Sequence, residues 1–230
     1  MRTNTTKAKL AAGQVVFGAI ISRPAPDQVE LFGAIGYDFV MIDCEHGPMS
    51  LDDVEHMVRA AEVFGITPIT RIPNHEDSTI LRFLDRGVQG IIVPHVNTRA
   101  AAEAVARAAR YWPDGHRGMA GGRPHDYGVG VSRDESTRWI NAELLVIPMI
   151  EETEAVDNLD AGDAWLIELQ MYPPETNQAT PMEYLQVNYD VIFNGVWSRD
   201  VICMEAGANG YIVKSDFEQG RFLEMLEALL

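Results

Sequence analysis

The sequence predicts an α/β fold in which eight parallel strands close into a (β/α)8 barrel, the TIM-barrel architecture. Short apolar runs alternate with stretches of helical periodicity along the 230 residues, and eight such units fit this length. No stretch resembles an interdomain linker, so we expect one domain over residues 1–230. The alternative is an open doubly wound sheet, which would carry a glycine-rich nucleotide fingerprint after its first strand, and the sequence has none there.

The predicted strands are short runs rich in Val, Ile and Leu, which suits strands buried on both faces. They lie at residues 15–21, 39–42, 66–73, 90–96, 144–150, 164–167, 191–194 and 211–213. The third run contains two prolines, at positions suited to the start and end of a strand rather than its centre.

The predicted helices follow these strands, except that residues 170–190, between strands six and seven, contain three prolines and little helical period. They lie at residues 26–35, 50–64, 76–86, 98–111, 133–142, 153–160, 199–206 and 217–230. Ser50 and Thr98 are expected N-caps, and Gly65 is an expected helix stop. Residues 112–131 are glycine-rich and lack an apolar period, and a loop of that length in a compact domain is usually functional.

The composition excludes several classes of partner. The chain has 34 acidic and 18 basic residues and a net charge of −16, which disfavours nucleic acid and anionic membrane surfaces. No apolar run reaches the roughly 18 residues of a transmembrane helix. Cys44 and Cys203 lie in apolar segments and indicate free thiols in a reducing compartment. We therefore expect a cytoplasmic protein.

Ionisable side chains concentrate where the predicted strands end, which is the active-site end of such a barrel. They are Asp43, Glu45 and His46 after strand two, Arg71 at strand three, His95 at strand four, and Glu151 and Glu152 at strand five. The long loop adds His116 and Arg117. Charges beside an apolar run are costly unless they are paired or bind a cation. A polar strand end with a local salt bridge is the plain alternative.

Five segments resemble the HpcH/HpaI family of class II, metal-dependent pyruvate aldolases. They are YDFVMIDCEHGP, ITRIPN, FLDRGVQGIIVPHVNT, ARYWPDGHRGM and IPMIEETEAVDNLD. The resemblance covers residues 14–161 and returns over 195–230. The Ile-Asp-x-Glu-His-Gly-Pro motif and the Gly-x-Arg-Gly loop are specific to that family when they occur together.

The resemblance implies roles for individual residues. Glu151 matches the carboxylate that binds a divalent metal ion, Mg²⁺, Mn²⁺ or Co²⁺. Arg71 matches the arginine beside the keto oxygen of pyruvate. His46, oriented by Asp43, matches the acid/base pair, with Glu45 as a supporting partner.

Two further residues are expected to contact substrate, namely His95 and Arg117. The general chemistry agrees with these roles, since a cation and a guanidinium stabilise the oxygen charge of an enolate, and an imidazole exchanges protons near neutral pH. Lys214 is the one lysine at an expected strand end, so a Schiff-base mechanism is less favoured than metal use.

The sequence departs from the family pattern at two places. Met149 stands where many relatives have Gln. After strand six, Ile167 runs straight into Glu168, without the Gly-Pro-x-Asp-Leu-Ser turn whose aspartate is the second metal ligand. Three explanations compete: a divergent member that has lost metal binding, Glu168 as the replacement ligand, or loop residues missing at this junction. The several shortened loops favour the last, which predicts too long a gap between Ile167 and Glu168 for a peptide bond.

The sequence thus predicts a lyase that cleaves or forms a carbon–carbon bond between pyruvate, or a close 2-oxo acid, and an aldehyde through a metal-bound enolate. We expect a homo-oligomer built from dimers, with a hexamer as one form. The helix at 217–230 suits packing on its own barrel and exchange with a partner subunit equally well. The alternatives are a related lyase or decarboxylase of the same family, and a non-catalytic barrel that binds a small 2-oxo acid.

Overall fold

The computed structural model describes residues 2–12, 14–149 and 151–160. The predicted strands six to eight and the last two predicted helices lie outside these residues. So do Glu168 and its junction with Ile167, and the single-domain prediction for 1–230 likewise extends beyond them.

Five parallel strands of the described residues form one sheet in the order β1-β2-β3-β4-β5. They are β1 (Gly18–Ile21), β2 (Phe39–Asp43), β3 (Thr67–Arg71), β4 (Gly90–Val93) and β5 (Leu145–Pro148). A doubly wound sheet reverses its strand order at a switch point, whereas a barrel adds each new strand to the same edge. The unbroken order of these five strands fits the predicted TIM barrel and not the doubly wound alternative.

Seven α-helices accompany the strands in the described residues. They are α1 (Thr5–Ala11), α2 (Pro26–Ala34), α3 (Leu51–Phe64), α4 (Asp77–Leu84), α5 (Arg99–Ala109), α6 (Arg133–Glu143) and α7 (Thr153–Asp160). The long loop after α5 contains a 3₁₀ segment at Arg123–Gly128. Six of the seven α-helices match predicted helices within a few residues, and α1 was not predicted.

The predicted helix ends are confirmed at their capping residues. The Ser50 side chain accepts the Asp53 main-chain N–H while Asp53 bonds back to Ser50, a complete capping box. Gly65 ends α3 in the left-handed conformation with φ of 71°, where a Cβ would be strained. The Thr98 hydroxyl accepts the Ala101 N–H at the start of α5.

Strands β2 to β5 bury both faces, and the two faces have different partners. Val40, Ile42, Ile91, Val93 and Val146 belong to one apolar cluster with residues of the surrounding helices. The alternate residues Met41, Ile69, Ile92 and Ile147 are buried as well but lie outside that cluster. Because side chains alternate along a strand, this second set faces the barrel interior. Asp43 and Arg71 follow Met41 and Ile69 by two positions and share that interior face.

Helix α1 lies at the amino-terminal end of the strands. The buried side chain of Asn4 caps α1 and donates to the carbonyls of Gln89, directly before β4, and of Glu143, two residues before β5. The Thr6 hydroxyl donates to the Asp38 carbonyl, just before β2. This end of the barrel is therefore tied down by polar contacts, and the opposite end holds the ionisable cluster.

Two predictions from composition can be compared with the described residues. Cys44 is a buried free thiol, and burial raises its pKa to about 12, so it is unreactive in this fold. None of the described helices has the length and apolar character needed to cross a membrane.

Candidate active site at the carboxyl end of the strands

The centre of the site is an ion pair between neighbouring strands. Asp43 and Arg71 are register partners at the carboxyl ends of β2 and β3. The Arg71 Nε donates to Asp43 Oδ1 at 3.0 Å and its Nη2 donates to Oδ2 at 2.7 Å, a bidentate pair. The two side chains are only 11% and 5% exposed. The guanidinium is therefore held in one orientation at the barrel mouth.

Asp43 also shapes the turn that follows β2. Its Oδ1 accepts the main-chain N–H groups of Glu45 and His46, each at 3.2 Å. A Cβ on Gly47 would lie 2.2 Å from the Asp43 carbonyl oxygen, so only glycine fits this tight turn. Burial opposes ionisation, but the Arg71 hydrogen bond and the His46 N–H together hold the pKa of Asp43 below its ordinary value. The carboxylate thus remains charged as a structural anchor.

The relation between Asp43 and His46 differs from the sequence expectation. Asp43 holds the His46 main chain, because its two oxygens already accept the guanidinium and the turn N–H groups. The imidazole lies nearest to Glu45, with 3.9 Å between His46 Nε2 and Glu45 Oε2, and the side chain is 71% exposed. Asp43 therefore orients the loop that carries His46, and the ring itself can reach solvent and solutes.

Glu45 connects the two sides of the site. Its Oε2 lies 3.3 Å from Arg71 Nε, and its Oε1 lies 3.8 Å from His95 Nε2. The same Oε2 atom is buried and accepts no hydrogen bond from the described residues, because its contact with Arg71 Nε is an ion pair without hydrogen-bond geometry. A buried carboxylate oxygen in that position is suited to a further cationic partner.

The second side of the site comes from the ends of β4 and β5. The main-chain N–H of His95 donates to Glu151 Oε2 at 3.1 Å. His95 Nδ1 lies 2.8 Å from Glu152 Oε1, and the Asn97 side-chain amide donates to the other oxygen of Glu152. The Glu152 hydrogen bond, supported by the charge of Glu151, raises the pKa of His95 above its ordinary value.

Six of the seven predicted site residues within the described part of the chain therefore meet at one end of the barrel. They are Asp43, Glu45, His46, Arg71, His95 and Glu151. The hydrogen bond to Asp43, with further contributions from the charges of Asp43, Glu45 and Glu151, raises the pKa of the Arg71 guanidinium. Glu168, the second predicted metal ligand, lies outside the described residues.

The structure does not bring Arg117 to this cluster. Its side chain is 1% exposed and donates to Asp85 at 2.8 Å, directly after α4, where the chain returns to the amino-terminal end of β4. The guanidinium also stacks 4.5 Å above the Tyr111 ring. A residue this buried between helices serves packing, so its expected contact with substrate is not supported by its position. Its neighbour His116 pairs with Asp77 on the helix surface.

The donor set at the mouth was compared with the needs of a divalent cation. In the part of the chain that the structure describes, no group of three His, Cys, Asp or Glu side chains is arranged to hold a metal ion. However, four carboxylates, of Asp43, Glu45, Glu151 and Glu152, surround one guanidinium and one imidazole. Oxygen-rich, negatively charged surroundings suit Mg²⁺ or Mn²⁺, so the residues fit such an ion as a partial ligand set.

Sequence reasoning missed one residue of this site. Asn97 contacts Glu152 across two loops, and nothing in the local sequence separates it from an ordinary loop asparagine. Glu152 was noted at the end of strand five but received no role. The available signal was the pair of consecutive glutamates after an apolar run, since one of two adjacent side chains can support the other.

The fold and the site define a TIM-barrel protein with an arginine and a group of carboxylates at the carboxyl end of its strands. The family model described as HpcH/HpaI aldolase/citrate lyase matches residues 21–162. The chain belongs to this family, as the sequence resemblance predicted.

Two relatives carry names for specific reactions. The chain is 38% identical over 162 residues to a 4-hydroxy-2-oxovalerate aldolase of Novosphingobium aromaticivorans, which covers 69% of this chain and 60% of the relative. It is 32% identical over 167 residues to a 2-keto-3-deoxy-L-rhamnonate aldolase of Shigella sonnei (strain Ss046), with 69% and 59% covered. The chain thus spans about 60% of the length of these curated relatives.

Solved structures confirm the fold class. A HpcH/HpaI aldolase/citrate lyase family protein from Burkholderia cenocepacia J2315 superposes with a TM-score of 0.64 at 28% identity, covering 72% of this chain and 65% of the other. The citrate synthase SbnG superposes with a TM-score of 0.61 at 29% identity, covering 97% and 94%.

Proposed function

We propose that this chain is a carbon–carbon lyase, a class II aldolase that acts on pyruvate or a close 2-oxo acid and an aldehyde. The observation that supports this most directly is the Arg71 guanidinium, locked by Asp43 at the mouth that also holds Glu151. The aldolase names of the two relatives agree with the proposal. The choice of aldehyde depends on the shape of the loops around this mouth.

Arg71 is assigned to the keto oxygen of the 2-oxo acid. Its Nε and Nη2 form the Asp43 pair, and Nη1 takes no part in that pair, so Nη1 is the atom directed to substrate. A guanidinium fixed before the reaction stabilises the negative charge that develops on the enolate oxygen, without any cost of reorganisation. Asp43 acts through Arg71 and is a positioning residue.

His46 is assigned to proton transfer at the substrate hydroxyl. Its ring is exposed at the mouth and lies beside Glu45, which can stabilise the imidazolium when the ring has accepted a proton. His95, on the other side of Glu45, is assigned to a substrate contact. Both imidazoles face the same acidic centre from different strands.

Glu151 is assigned as a ligand of a divalent cation, Mg²⁺, Mn²⁺ or Co²⁺, with Glu168 as the proposed second ligand. Such an ion, when bound, supplies Lewis-acid polarisation of the keto oxygen. The chain's own contribution is to hold Glu151 through the His95 main-chain N–H and to gather negative charge at the mouth.

The proposal is tested by exchange of the pyruvate methyl protons with deuterium, followed by proton NMR. We expect the wild-type chain to catalyse exchange with Mg²⁺ or Mn²⁺, and expect chelator or Glu151→Gln to abolish it. Glu103→Gln is the matched control, because Glu103 is an exposed carboxylate paired with Arg99 on α5. Absence of exchange with every divalent ion would contradict the lyase proposal and favour the non-catalytic barrel that only binds a 2-oxo acid.

A second candidate is bond formation to give citrate. The chain is similar to the citrate synthase SbnG at 29% identity with a TM-score of 0.61, and this similarity supports the candidate. A site that stabilises an enolate serves both cleavage and formation of a carbon–carbon bond. Formation of citrate from a 2-oxo dicarboxylic acid and an acetyl donor would favour this candidate, and release of CO₂ from the 2-oxo acid would favour the decarboxylase alternative.

The assembly and the location of the protein remain predictions. We propose a homo-oligomer built from dimers, with a hexamer as one form, and light scattering on the purified chain measures it. Cytoplasmic location and exchange of the helix at 217–230 between subunits are proposals of the same kind. The expected partners are small molecules, not nucleic acid or membrane.

A further inference from the structure

His95 has an unusual backbone conformation at the barrel mouth. Its φ is 57°, in the left-handed region that residues other than glycine rarely adopt. In the described residues, Asp126 and Tyr127 are the other non-glycine residues with positive φ, and both lie in the 3₁₀ segment. A strained residue persists only where its surroundings hold it, and such residues cluster at functional sites.

The surroundings that hold His95 are two side chains from different loops. Glu152 Oε1 accepts the His95 Nδ1–H at 2.8 Å, because a carboxylate can only accept. The other oxygen of Glu152 accepts the side-chain amide of Asn97, whose main-chain carbonyl accepts the Asn158 amide. Both oxygens of Glu152 are therefore engaged, and its carboxylate clamps the 95–97 turn to the start of α7.

The left-handed conformation has one consequence for the site. In it, the main-chain N–H of His95 points at Glu151 Oε2, at 3.1 Å. A hydrogen bond of this kind orients a carboxylate that binds a metal ion, without itself contacting the ion. Loss of such a bond commonly lowers metal affinity by roughly 10–100-fold.

We propose that Glu152 and Asn97 are positioning residues that hold His95 left-handed, so that its main-chain N–H fixes the Glu151 carboxylate for a divalent cation. The inference rests on the proposed role of Glu151 as a cation ligand. Glu152 is assigned to the clamp, because each of its oxygens already accepts one hydrogen bond from the 95–97 turn.

The test measures Mn²⁺ affinity by the EPR signal of free Mn²⁺, without substrate or turnover. We expect Glu152→Ala and Asn97→Ala each to weaken binding by about 10–100-fold. Asn97→Ala is the sharper variant, because it removes no charge. Glu103→Ala is the control for loss of one exposed carboxylate, and we expect it to leave affinity within about twofold, since salt screens distant surface charges.

A double-mutant cycle separates the clamp from a direct effect of charge. His95→Ala removes the imidazole that the clamp grips, but it keeps the N–H and the cost of a left-handed residue, which glycine would abolish. We expect it to weaken Mn²⁺ binding as Glu152→Ala does, with no further loss in the double variant, because both changes release the same turn. Circular dichroism checks that each variant folds. If Glu152→Ala does not fold, Glu152→Gln and Asn97→Ala are measured in its place.

The outcomes distinguish this inference from the proposed function. If the wild type binds Mn²⁺ but Asn97→Ala does not weaken it, or if the losses from His95→Ala and Glu152→Ala add, the clamp is overturned and the proposed function stands. If the wild type binds no Mn²⁺ at all, the role of Glu151 fails and the inference fails with it.

Discussion

Arg71 shows how a single residue at this mouth combines structure with chemistry. Its bidentate pair with Asp43 uses the two nitrogens on one edge of the guanidinium. A lysine could keep the charge but could not reproduce the fork. Asp43 therefore fixes the position of the Arg71 charge, which a positive charge alone would not do.

We expect Arg71→Ala to lower the rate of pyruvate proton exchange by about 10²–10³-fold, by analogy with loss of one oxyanion donor. Arg71→Lys should fall between this variant and the wild type, because it keeps a cation without a fixed orientation. Rates are measured by proton NMR in deuterated buffer, with Arg99→Ala, on the surface of α5, as the control. An unchanged rate in Arg71→Ala would remove this residue from the mechanism.

His125 is a buried histidine whose two hydrogen bonds depend on the protonation state of its imidazole. Its Nε2 lies 2.9 Å from the Tyr111 hydroxyl and its Nδ1 lies 2.8 Å from Ser136 Oγ. Ser136 donates to the Arg133 carbonyl, so it accepts from His125 Nδ1–H, and Nε2 accepts from Tyr111. Each donor has an acceptor only when the imidazole is neutral. Burial and the nearby charge of Arg117 lower the pKa of His125.

This lowered pKa predicts a pH dependence of stability. Below the ordinary histidine value of about 6.5, the unfolded chain takes up a proton that the folded chain resists. The contribution of His125 to the free energy of unfolding is thus complete above that pH and decreases as the pH falls below it. Urea unfolding between about pH 5 and pH 8 measures this, and the difference between wild type and His125→Gln should shrink on acidification. A difference that does not change with pH would show that His125 is not the cause.

At the scale of the element, α1 is tied to the barrel by polar contacts in addition to the buried side chain of Leu10. Asn4 has no exposed surface, accepts the Lys7 N–H at 2.9 Å, and donates to the carbonyls of Gln89 and Glu143 at 3.0 Å each. These carbonyls lie at the starts of two strands. A single side chain therefore joins a helix end to the sheet.

We expect Asn4→Ala to destabilise the folded chain by about 2–4 kcal/mol, because it removes a helix cap and leaves buried carbonyls without donors. Urea denaturation measures the change. Asn74→Ala is the matched control, since Asn74 makes one local contact, to the Glu76 N–H, in a loop. Mn²⁺ affinity should be retained in the folded fraction, because α1 lies at the opposite end of the strands. A loss below about 0.5 kcal/mol would contradict the assigned role.

Local elements were predicted well where their signals are local. The Ser50 capping box, the Thr98 cap and the Gly65 stop each involve residues within a few positions of one another, and each was confirmed. Strand ends were less accurate, since β1 begins at Gly18 rather than at residue 15. The apolar residues before Gly18 led to the early predicted start. Among them, Phe17 lies at the border of the sheet, where its carbonyl accepts the N–H groups of Asp38 and Phe39. Helix α1 was missed although Asn4 caps it locally, because the helix is short and the contacts that tie it to the barrel are distant in sequence.

At the scale of the whole molecule, the barrel separates two kinds of polar residue. The amino-terminal end of the strands carries the contacts of Asn4 and Thr6, which serve stability. The carboxyl end carries Asp43, Arg71 and Glu151, which serve the proposed chemistry. Parallel strands produce this separation, because every strand of the sheet ends at the same face. Arg117 shows the limit of motif reasoning, since the loop that carries it packs against helices instead of reaching that face.

The sequence by itself determined the fold class, the family and the end of the barrel at which ionisable groups gather. It could do so because strand periodicity, helix caps and short motifs are local properties of the chain. Only the tertiary structure decided that Asp43 pairs with Arg71 rather than with the His46 ring, that Arg117 is buried beside Asp85, and that Glu152 clamps His95. These contacts join residues far apart in the chain, and strand register and loop packing set them.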